Sequence, residues 1–267
     1  MKISIVTISY NQGRFLEKAI LSVIKQNYPE LEYIIVDPGS ADRSREIIEK
    51  YRDHIDHIIF EPDEGPADGL NKGFQKATGE IWGYLNADDM LAYQTCQKVN
   101  DFFTCHQNID VVSGHGYVVD ENDKILHKIF SHQFDLKSYA MHCCVLVQQS
   151  TFFRPQLFNQ VGGFNKTNPV CWDGELMVDY ALSGAKFAVV HDYWSYFRVY
   201  PNSITTSSYF DQVRQAEHER IMNKIGVQTV GIWDYRWQWL LTRIQQPMTS
   251  LLRIIDGIKN PQRALPK

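Results

Sequence analysis

The feature that most restricts the fold is an alternation of two periods across roughly the first hundred residues, with a short polar cluster at several of the switches. Lys2 to Ser9 is β-rich and mostly apolar, which reads as a buried strand. Phe15, Leu16, Ala19, Ile20, Val23 and Ile24 then recur at helical spacing. Leu31 to Val36 is a second strand, and Arg43 to Tyr51 a helix with Asp42 as its N-cap. Ile55 to Phe60 is a short strand, Ala67 to Ala77 a helix and Ile81 to Leu85 a fourth strand. Strand and helix in turn demand right-handed crossovers, so the chain is predicted to be α/β with a mostly parallel sheet and flanking helices. Ligands of such sheets sit beyond the carboxyl ends of the strands. The polar clusters fall there: Ser9-Tyr10-Asn11 after the first strand, Asp37 after the second and Asp88-Asp89 after the fourth.

The second half is less regular. Val111 to Val119 and Lys124 to Phe130 read as strands around the turn Asp120-Glu121-Asn122-Asp123, and Ser150 to Phe153 as a short strand. Gly162-Gly163-Phe164 is a turn, Asp173 to Ser183 a helix, Phe187 to Val190 and Trp194 to Tyr200 two strands, and Ser208 to Asn223 a polar helix. Residues 1–110 and 111–225 read as two halves of one domain, with 226–267 as a helical tail. Large apolar residues recur in that tail from Trp233 to Ile258, and Pro247 should split it into two helices.

Charge sharpens this division. The chain of 267 residues has a net charge of −4, which gives no case for a nucleic-acid partner. Arg236, Arg243, Arg253, Lys259, Arg263 and Lys267 oppose only Asp234 and Asp256, so the tail carries +4 and residues 1–232 carry −8. A Trp-rich basic amphipathic tail suits an anionic membrane surface; packing on the preceding domain or in a homodimer is the alternative. Hydrophobic residues at 44% exclude a disordered chain, and no apolar run is long enough to span a membrane. The N-terminus does not read as a signal peptide, and five cysteines without C-x-x-C read as reduced thiols. The expectation is a cytoplasmic protein, peripheral on the inner face of the cell membrane if the tail docks there.

Asp88 and Asp89 are the sharpest local feature. Adjacent carboxylates at a strand end suit Mg²⁺ or Mn²⁺, and a diphosphate would complete the coordination. The plain alternative is a polar turn that caps a helix from about Ala92. Asp37 can accept from a base N–H or a ribose hydroxyl, or can instead form an Asx-turn under Pro38-Gly39. Asp173 or Glu175 can serve as a general base, or can simply be acidic charge at a helix start. Trp172 and Trp194 can stack on a sugar or be core; Trp82 is core, and His115 and His191 are structural by default. No Walker A or G-x-G-x-x-G pattern occurs.

Several ordered blocks resemble inverting glycosyltransferases of family 2, which have the GT-A fold. They are Val6-Thr7-Ile8-Ser9-Tyr10-Asn11-Gln12-Gly13-Arg14-Phe15-Leu16, Ser22-Val23-Ile24-Lys25-Gln26, and Tyr33 to Asp42 with its Val36-Asp37-Pro38-Gly39-Ser40. Glu61 to Gly73, Tyr84-Leu85-Asn86-Ala87-Asp88-Asp89, Ser150-Thr151-Phe152-Phe153-Arg154 and Val161-Gly162-Gly163-Phe164 follow, and the resemblance extends over roughly residues 2 to 205. The resemblance implies that Thr7, Ser9 and Asp37 line the nucleotide and that Asp68 and Lys72 approach the sugar or diphosphate. Asp88 would contact ribose or metal, Asp89 would bind Mn²⁺ or Mg²⁺, Arg198 would lie near the donor phosphates, and Asp173 would be the base. Pro38, His115 and Tyr200 depart from the Gly, acidic residue and His common in the family, and Trp172 stands where an acidic residue often precedes the base.

The expected function is metal-dependent transfer, with inversion, from a nucleotide-diphosphate sugar to a glycan or lipid-linked glycan acceptor. A UDP-sugar is the favoured donor, and bacterial cell-surface polysaccharide or glycolipid synthesis the expected setting. The rivals are a non-catalytic nucleotide- or carbohydrate-binding protein on the same scaffold and a nucleotidyltransferase. The latter usually has a Gly-rich basic loop after its first strand, which Ser9-Tyr10-Asn11-Gln12-Gly13-Arg14 does not match.

Overall fold

A strand with nearly every side chain buried needs cover on both faces, and β1 (Ile3–Ile8) is such a strand. The computed structural model describes residues 1–201, 203, 205–227 and 232–259. After β1, α1 (Leu16–Ile24) buries the single stripe Leu16, Ala19, Ile20 and Val23. The alternation continues through β2 (Leu31–Val36), α2 (Ser44–Lys50), β3 (His57–Ile59), α3 (Pro66–Phe74) and β4 (Ile81–Asn86). Asp42 precedes α2 and accepts from the Ser44 N–H at 2.9 Å. β1 pairs in parallel with both β2 and β4, and β2 with β3. Alternating side chains divide the core: Val6, Ile34 and Val36 meet Leu70 and Phe74 of α3, whereas Ile3, Ile5 and Ile35 meet Leu16 and Ile20 of α1.

The chain then forms β5 (Met90–Leu91), α4 (Thr95–Cys105), β6 (Val111–Val119), β7 (Ile125–Ile129), α5 (Leu136–Ala140), β8 (Thr151–Phe153), α6 (Pro155–Val161) and α7 (Trp172–Leu182). It closes with β9 (Phe187–Arg198), α8 (Asp211–Ile225), α9 (Ile232–Gln245) and α10 (Pro247–Lys259). The strand order is β3-β2-β1-β4-β8-β6-β9-β5, with β7 paired to β6. β6 and β9 are parallel, and every antiparallel pairing involves one of the shorter strands β5, β7 or β8. The fold is therefore α/β with a mostly parallel sheet, and that sheet is continuous across residue 110.

Two local expectations change and one open alternative closes. The two strands predicted over 187–200 are the one strand β9, because register shifts against β6 around His115 absorb the polar His191 and Asp192 without ending the strand. No helix starts at Ala92; Met90 and Leu91 first pair with Tyr196 and Ser195, and α4 begins at Thr95. Trp194 is core and cannot reach a sugar: it is 1% exposed and lies against Gly114, where a Cβ would come within 2.5 Å of its ring. Pro247 does divide the tail, standing at the first residue of α10. Arg263 and Lys267 lie outside the described residues. No helix among the described residues is long and apolar enough to cross a membrane.

Candidate active site

The carboxyl ends of β1 and β4, with the loops after β2 and β3, open into one cleft of about 640 Å³. Ser9, Pro38, Gly39, Pro62, Asp63 and Asn86 to Asp89 line it from the parallel half, and Trp172, Arg198 and Tyr200 from the other. Ser9 is buried and its Oγ has no hydrogen-bond partner.

Asp88 and Asp89 sit in the turn between β4 and β5. The Arg198 N–H donates to Asp89 Oδ1 at 2.9 Å and Gln149 Nε2 donates to Oδ2 at 2.7 Å; Tyr200 Oη donates to Asp88 Oδ2 at 2.9 Å. Burial raises the Asp88 carboxyl above its ordinary value. Burial together with the Asp88 charge raises Asp89 well above it. Asn86 Oδ1 is buried without a partner in the same cleft. A buried Asp89 and a half-buried Asp88, mutually repelling and beside an unpartnered amide oxygen, form a hard oxygen set that fits Mg²⁺ or Mn²⁺. Among the described residues no group of three His, Cys, Asp or Glu could hold a metal ion by itself. A cation here would complete its coordination with oxygens from water or a bound diphosphate.

Arg198 is almost wholly buried. Its Nε donates to the Asp88 carbonyl and its Nη1 to the Asp120 carbonyl, each at 2.8 Å, while Nη1 lies 2.6 Å from Asp123 Oδ1. Its guanidinium also lies over the Phe15 ring, 4.7 Å from the centroid. Arg198 thus lines the cleft and also holds the Asp88-Asp89 turn from behind.

The other expected binding residues divide. Thr7 does not line the cleft: it is fully buried within β1, on the same face as Ile3 and Ile5, and accepts from Tyr33 Oη. Asp37 lies beneath the cleft wall. Its carboxylate accepts from the N–H groups of Gly39 and Ser40, from Ser40 Oγ and from Arg45 Nε, and so shapes the loop whose Pro38 and Gly39 face the cleft. Asp68 and Lys72 pair at 3.0 Å behind the rim residues Gly65 and Pro66, with Lys166 on the same carboxylate. Burial alone would raise Asp68; Lys72, the Glu64 N–H and Lys166 outweigh it and hold the carboxyl below its ordinary value.

Sequence reasoning missed Asp63, Gln12 and Tyr200 as site residues. Asp63 accepts from the Gly65 N–H and, through burial, is raised. Its signal was its place in the loop after the third strand. Gln12 Nε2 donates to Tyr200 Oη at 3.2 Å, a contact 188 residues apart in sequence that no local pattern announces.

Asp173 faces a second cavity, of about 230 Å³, lined by Tyr84, Phe134, Tyr139, Leu146, Gln148, Met177 and their neighbours. The two spaces abut: the rings of Tyr84 and Trp172 lie 5.6 Å apart, and Asn86 Nδ2 of the first reaches Gln148 Oε1 of the second at 3.4 Å. Burial raises the Asp173 carboxyl, and only the Gly174 N–H, at 2.8 Å, and its own N–H counter it. Glu175 is in the opposite state. It is 1% exposed, accepts from Arg220, Asn165 and Asn168, and is paired with Lys224, so that despite burial its carboxyl is held down to about 2. Of the two acids at the start of α7, Asp173 is the one that faces a cavity.

The family model for glycosyl transferase family 2 matches residues 4–166. An uncharacterised glycosyltransferase of Nostoc sp. is 36% identical over 129 residues, 47% of this chain and 40% of that protein. The putative teichuronic acid biosynthesis glycosyltransferase TuaG of Bacillus subtilis is 28% identical over 153 residues, 54% of this chain and 61% of that protein. The chain thus spans less than two thirds of the length of each of these relatives. Among solved structures, TarS 1-349 of Staphylococcus aureus in complex with UDP-GlcNAc superposes with a TM-score of 0.68 at 19% identity, covering 92% of this chain and 73% of that one. Mannosyltransferase PcManGT of Pyrobaculum calidifontis, with GDP-Man and Mn²⁺, gives 0.64 at 16% identity, covering 96% and 80%. At such identities the likeness speaks for the fold, which is the GT-A fold of glycosyltransferases. With the family model spanning more than half of its length, the chain belongs to glycosyl transferase family 2.

Proposed function

We propose that this protein transfers a sugar from a nucleotide-diphosphate sugar to an acceptor hydroxyl, with inversion at the anomeric carbon. The observation that carries this reading is the pair of abutting spaces: a strand-end cleft containing Asp88 and Asp89, and across the Tyr84–Trp172 partition a cavity containing Asp173. The cleft takes the donor and the cavity the acceptor. A UDP-sugar is the favoured donor, in keeping with the UDP-GlcNAc complex of TarS, and the Mn²⁺ of PcManGT supports a divalent cation. The name of TuaG supports a setting in cell-surface polysaccharide synthesis, with a glycan or lipid-linked glycan as acceptor.

Asp173 accepts the acceptor hydroxyl proton as the oxygen bonds to the anomeric carbon. The bond from that carbon to the phosphate oxygen breaks, and the nucleotide diphosphate leaves with the electron pair. A carboxyl raised by burial is a stronger base than a solvated one, which suits this role. Asp88, Asp89 and Asn86 would hold the cation, which when bound offsets the charge gathering on the diphosphate. Pro38 and Gly39, carried on the Asp37 loop, with Ser9 and Asp63, wall the nucleoside end. Asp68 and Lys72 brace the rim loop, and Thr7 supports β1 from the core side.

A panel of nucleotide sugars with Mn²⁺ or Mg²⁺, scored for released nucleotide diphosphate and for thermal stabilisation, tests the reading. One donor should stabilise the fold by about 2.7 kcal/mol at roughly a hundred times its Kd, and only with the cation. No stabilisation and no release across the panel would refute it.

A further inference from the structure

The last two helices are amphipathic in the reverse sense of a globular protein. Their inward faces are polar: Gln238, Thr242, Thr249 and Asp256 are all buried. Gln238 Nε2 donates to Ser138 Oγ at 2.8 Å, Thr242 Oγ1 lies 3.2 Å from the same hydroxyl, and Gln246 exchanges hydrogen bonds with the main chain of Gln133. Their outward faces are apolar at helical spacing. Trp237 is 61%, Leu240 42% and Ile244 65% exposed on α9; Leu251 is 50% and Ile258 75% exposed on α10. Hydrogen bonds fix the hairpin to the domain, and an apolar stripe spanning both helices is left facing outward. Such a stripe on a water-soluble surface marks a docking site.

We propose that the outer face of α9–α10 lies in the plane of an anionic lipid surface. Charge selects this occupant over a second copy. By sequence, residues 233–267 carry +4 and residues 1–232 carry −8, and Arg236 and Arg243 are exposed on α9; a two-fold dimer through this face would set one basic helix against another, whereas an anionic surface attracts the tail and repels the rest of the molecule. The exposed Trp237 and Trp239 stand beside Arg236 and Arg243, with the Arg243 guanidinium 3.7 Å from the Trp239 ring centroid. Aromatic rings with basic neighbours suit the boundary between headgroups and acyl chains. The helices, of 14 and 13 residues, are too short to span and long enough to lie flat.

The position has a consequence for the acceptor. The hairpin rests on α5 through Ser138, and the next residue, Tyr139, lines the Asp173 cavity. A lipid surface on α9–α10 would lie one short helix away from that cavity, so an acceptor carried on a lipid would be held near Asp173. This consequence rests on the transferase reading; the docking does not.

The test is sedimentation of the full chain with vesicles of phosphatidylcholine containing increasing phosphatidylglycerol, beside the double variant Ile244→Glu, Ile258→Glu. Both positions are exposed and outside the two cavities, so circular dichroism and the thermal midpoint should match the parent. The parent should bind more as anionic lipid increases and less as salt increases, and the variant should bind about tenfold or more weakly. A parent that stays in the supernatant at low salt, or a variant that binds as the parent does, overturns the proposal. So does a concentration-dependent dimer in sedimentation velocity that the variant abolishes while the parent leaves vesicles unbound; the face would then join two copies. None of these readouts needs a donor or turnover, so a failed sugar panel leaves the docking result standing.

Discussion

Trp172 and Asp173 are consecutive residues and face different spaces: Trp172 walls the cleft that contains Asp88 and Asp89, and Asp173 the cavity lined by Tyr139 and Met177. The first turn of α7 causes this, since successive helical side chains diverge by about 100°. One helix start therefore lines both spaces. Glu175, two residues on, anchors that start to Arg220 and Lys224 of α8.

The same turn leaves no room for a side chain at position 174. A Cβ there would come within 2.1 Å of Tyr139 Oη. Gly174→Ala should lose about 1–3 kcal/mol by overpacking and distort the Asp173 cavity. Tyr139→Phe in the same chain removes the clashing oxygen and should restore part of the loss. Denaturant unfolding of the single and double variants reads both effects; an unperturbed single variant would mean that this contact is not tight in solution.

Asp89→Asn keeps the shape of the side chain and removes a carboxylate that burial and Asp88 already disfavour in its charged form. The new amide NH₂ meets the Gln149 Nε2 donor, which offsets that gain, so folding stability should change by no more than about 1–3 kcal/mol. Cation-dependent nucleotide binding, followed by calorimetry, should weaken by at least the roughly 10–100-fold typical of changes one shell further out. Retained Mn²⁺ or Mg²⁺ dependence in the variant would move the cation away from this turn.

Acid should destabilise the fold in two steps. Burial, with Arg253 or His191 nearby, lowers His132 to about 3 and His115 to about 4 from 6.5. Below pH 6.5 the unfolded chain takes up protons that these buried rings refuse, so stability falls as pH falls, by about 2 kcal/mol per ring at pH 5. Glu32 and Glu175 are depressed to about 2 because Lys2 and Arg220, with their other hydrogen-bond donors, outweigh burial. Their contributions are present above pH 4.5 and disappear towards pH 2. Unfolding free energies at pH 7 and pH 5 check the first step, and His132→Gln should make it shallower; an identical slope would contradict the assignment.

The parallel half of the fold was legible because each strand and helix there carries its own period, and the strand-end rule placed Ser9, Asp88 and Asp89 at a cleft without knowledge of the ligand. The limits were contacts that no local pattern encodes. Asp37 sits at a strand end and yet turns its carboxylate on its own loop, and Thr7 follows the buried parity of β1. Tyr200 reaches Asp88 from far along the chain. β9 runs through His191 and Asp192 because a bulge opposite β6, invisible in composition, absorbs them. The apolar stripe of the tail was visible as a period; which of its faces meets the protein was not.

If Asp173 takes the proton from an acceptor seated apart from the donor, its removal should slow turnover and spare donor binding. Steady-state kinetics of Asp173→Asn with the donor identified by the panel test it most directly, with donor affinity measured separately by calorimetry. Turnover should be about 10²–10⁴-fold lower, with donor affinity unchanged because Asp173 does not line the cleft of Asp88 and Asp89. Parent-like turnover, or a loss confined to donor affinity, would contradict it.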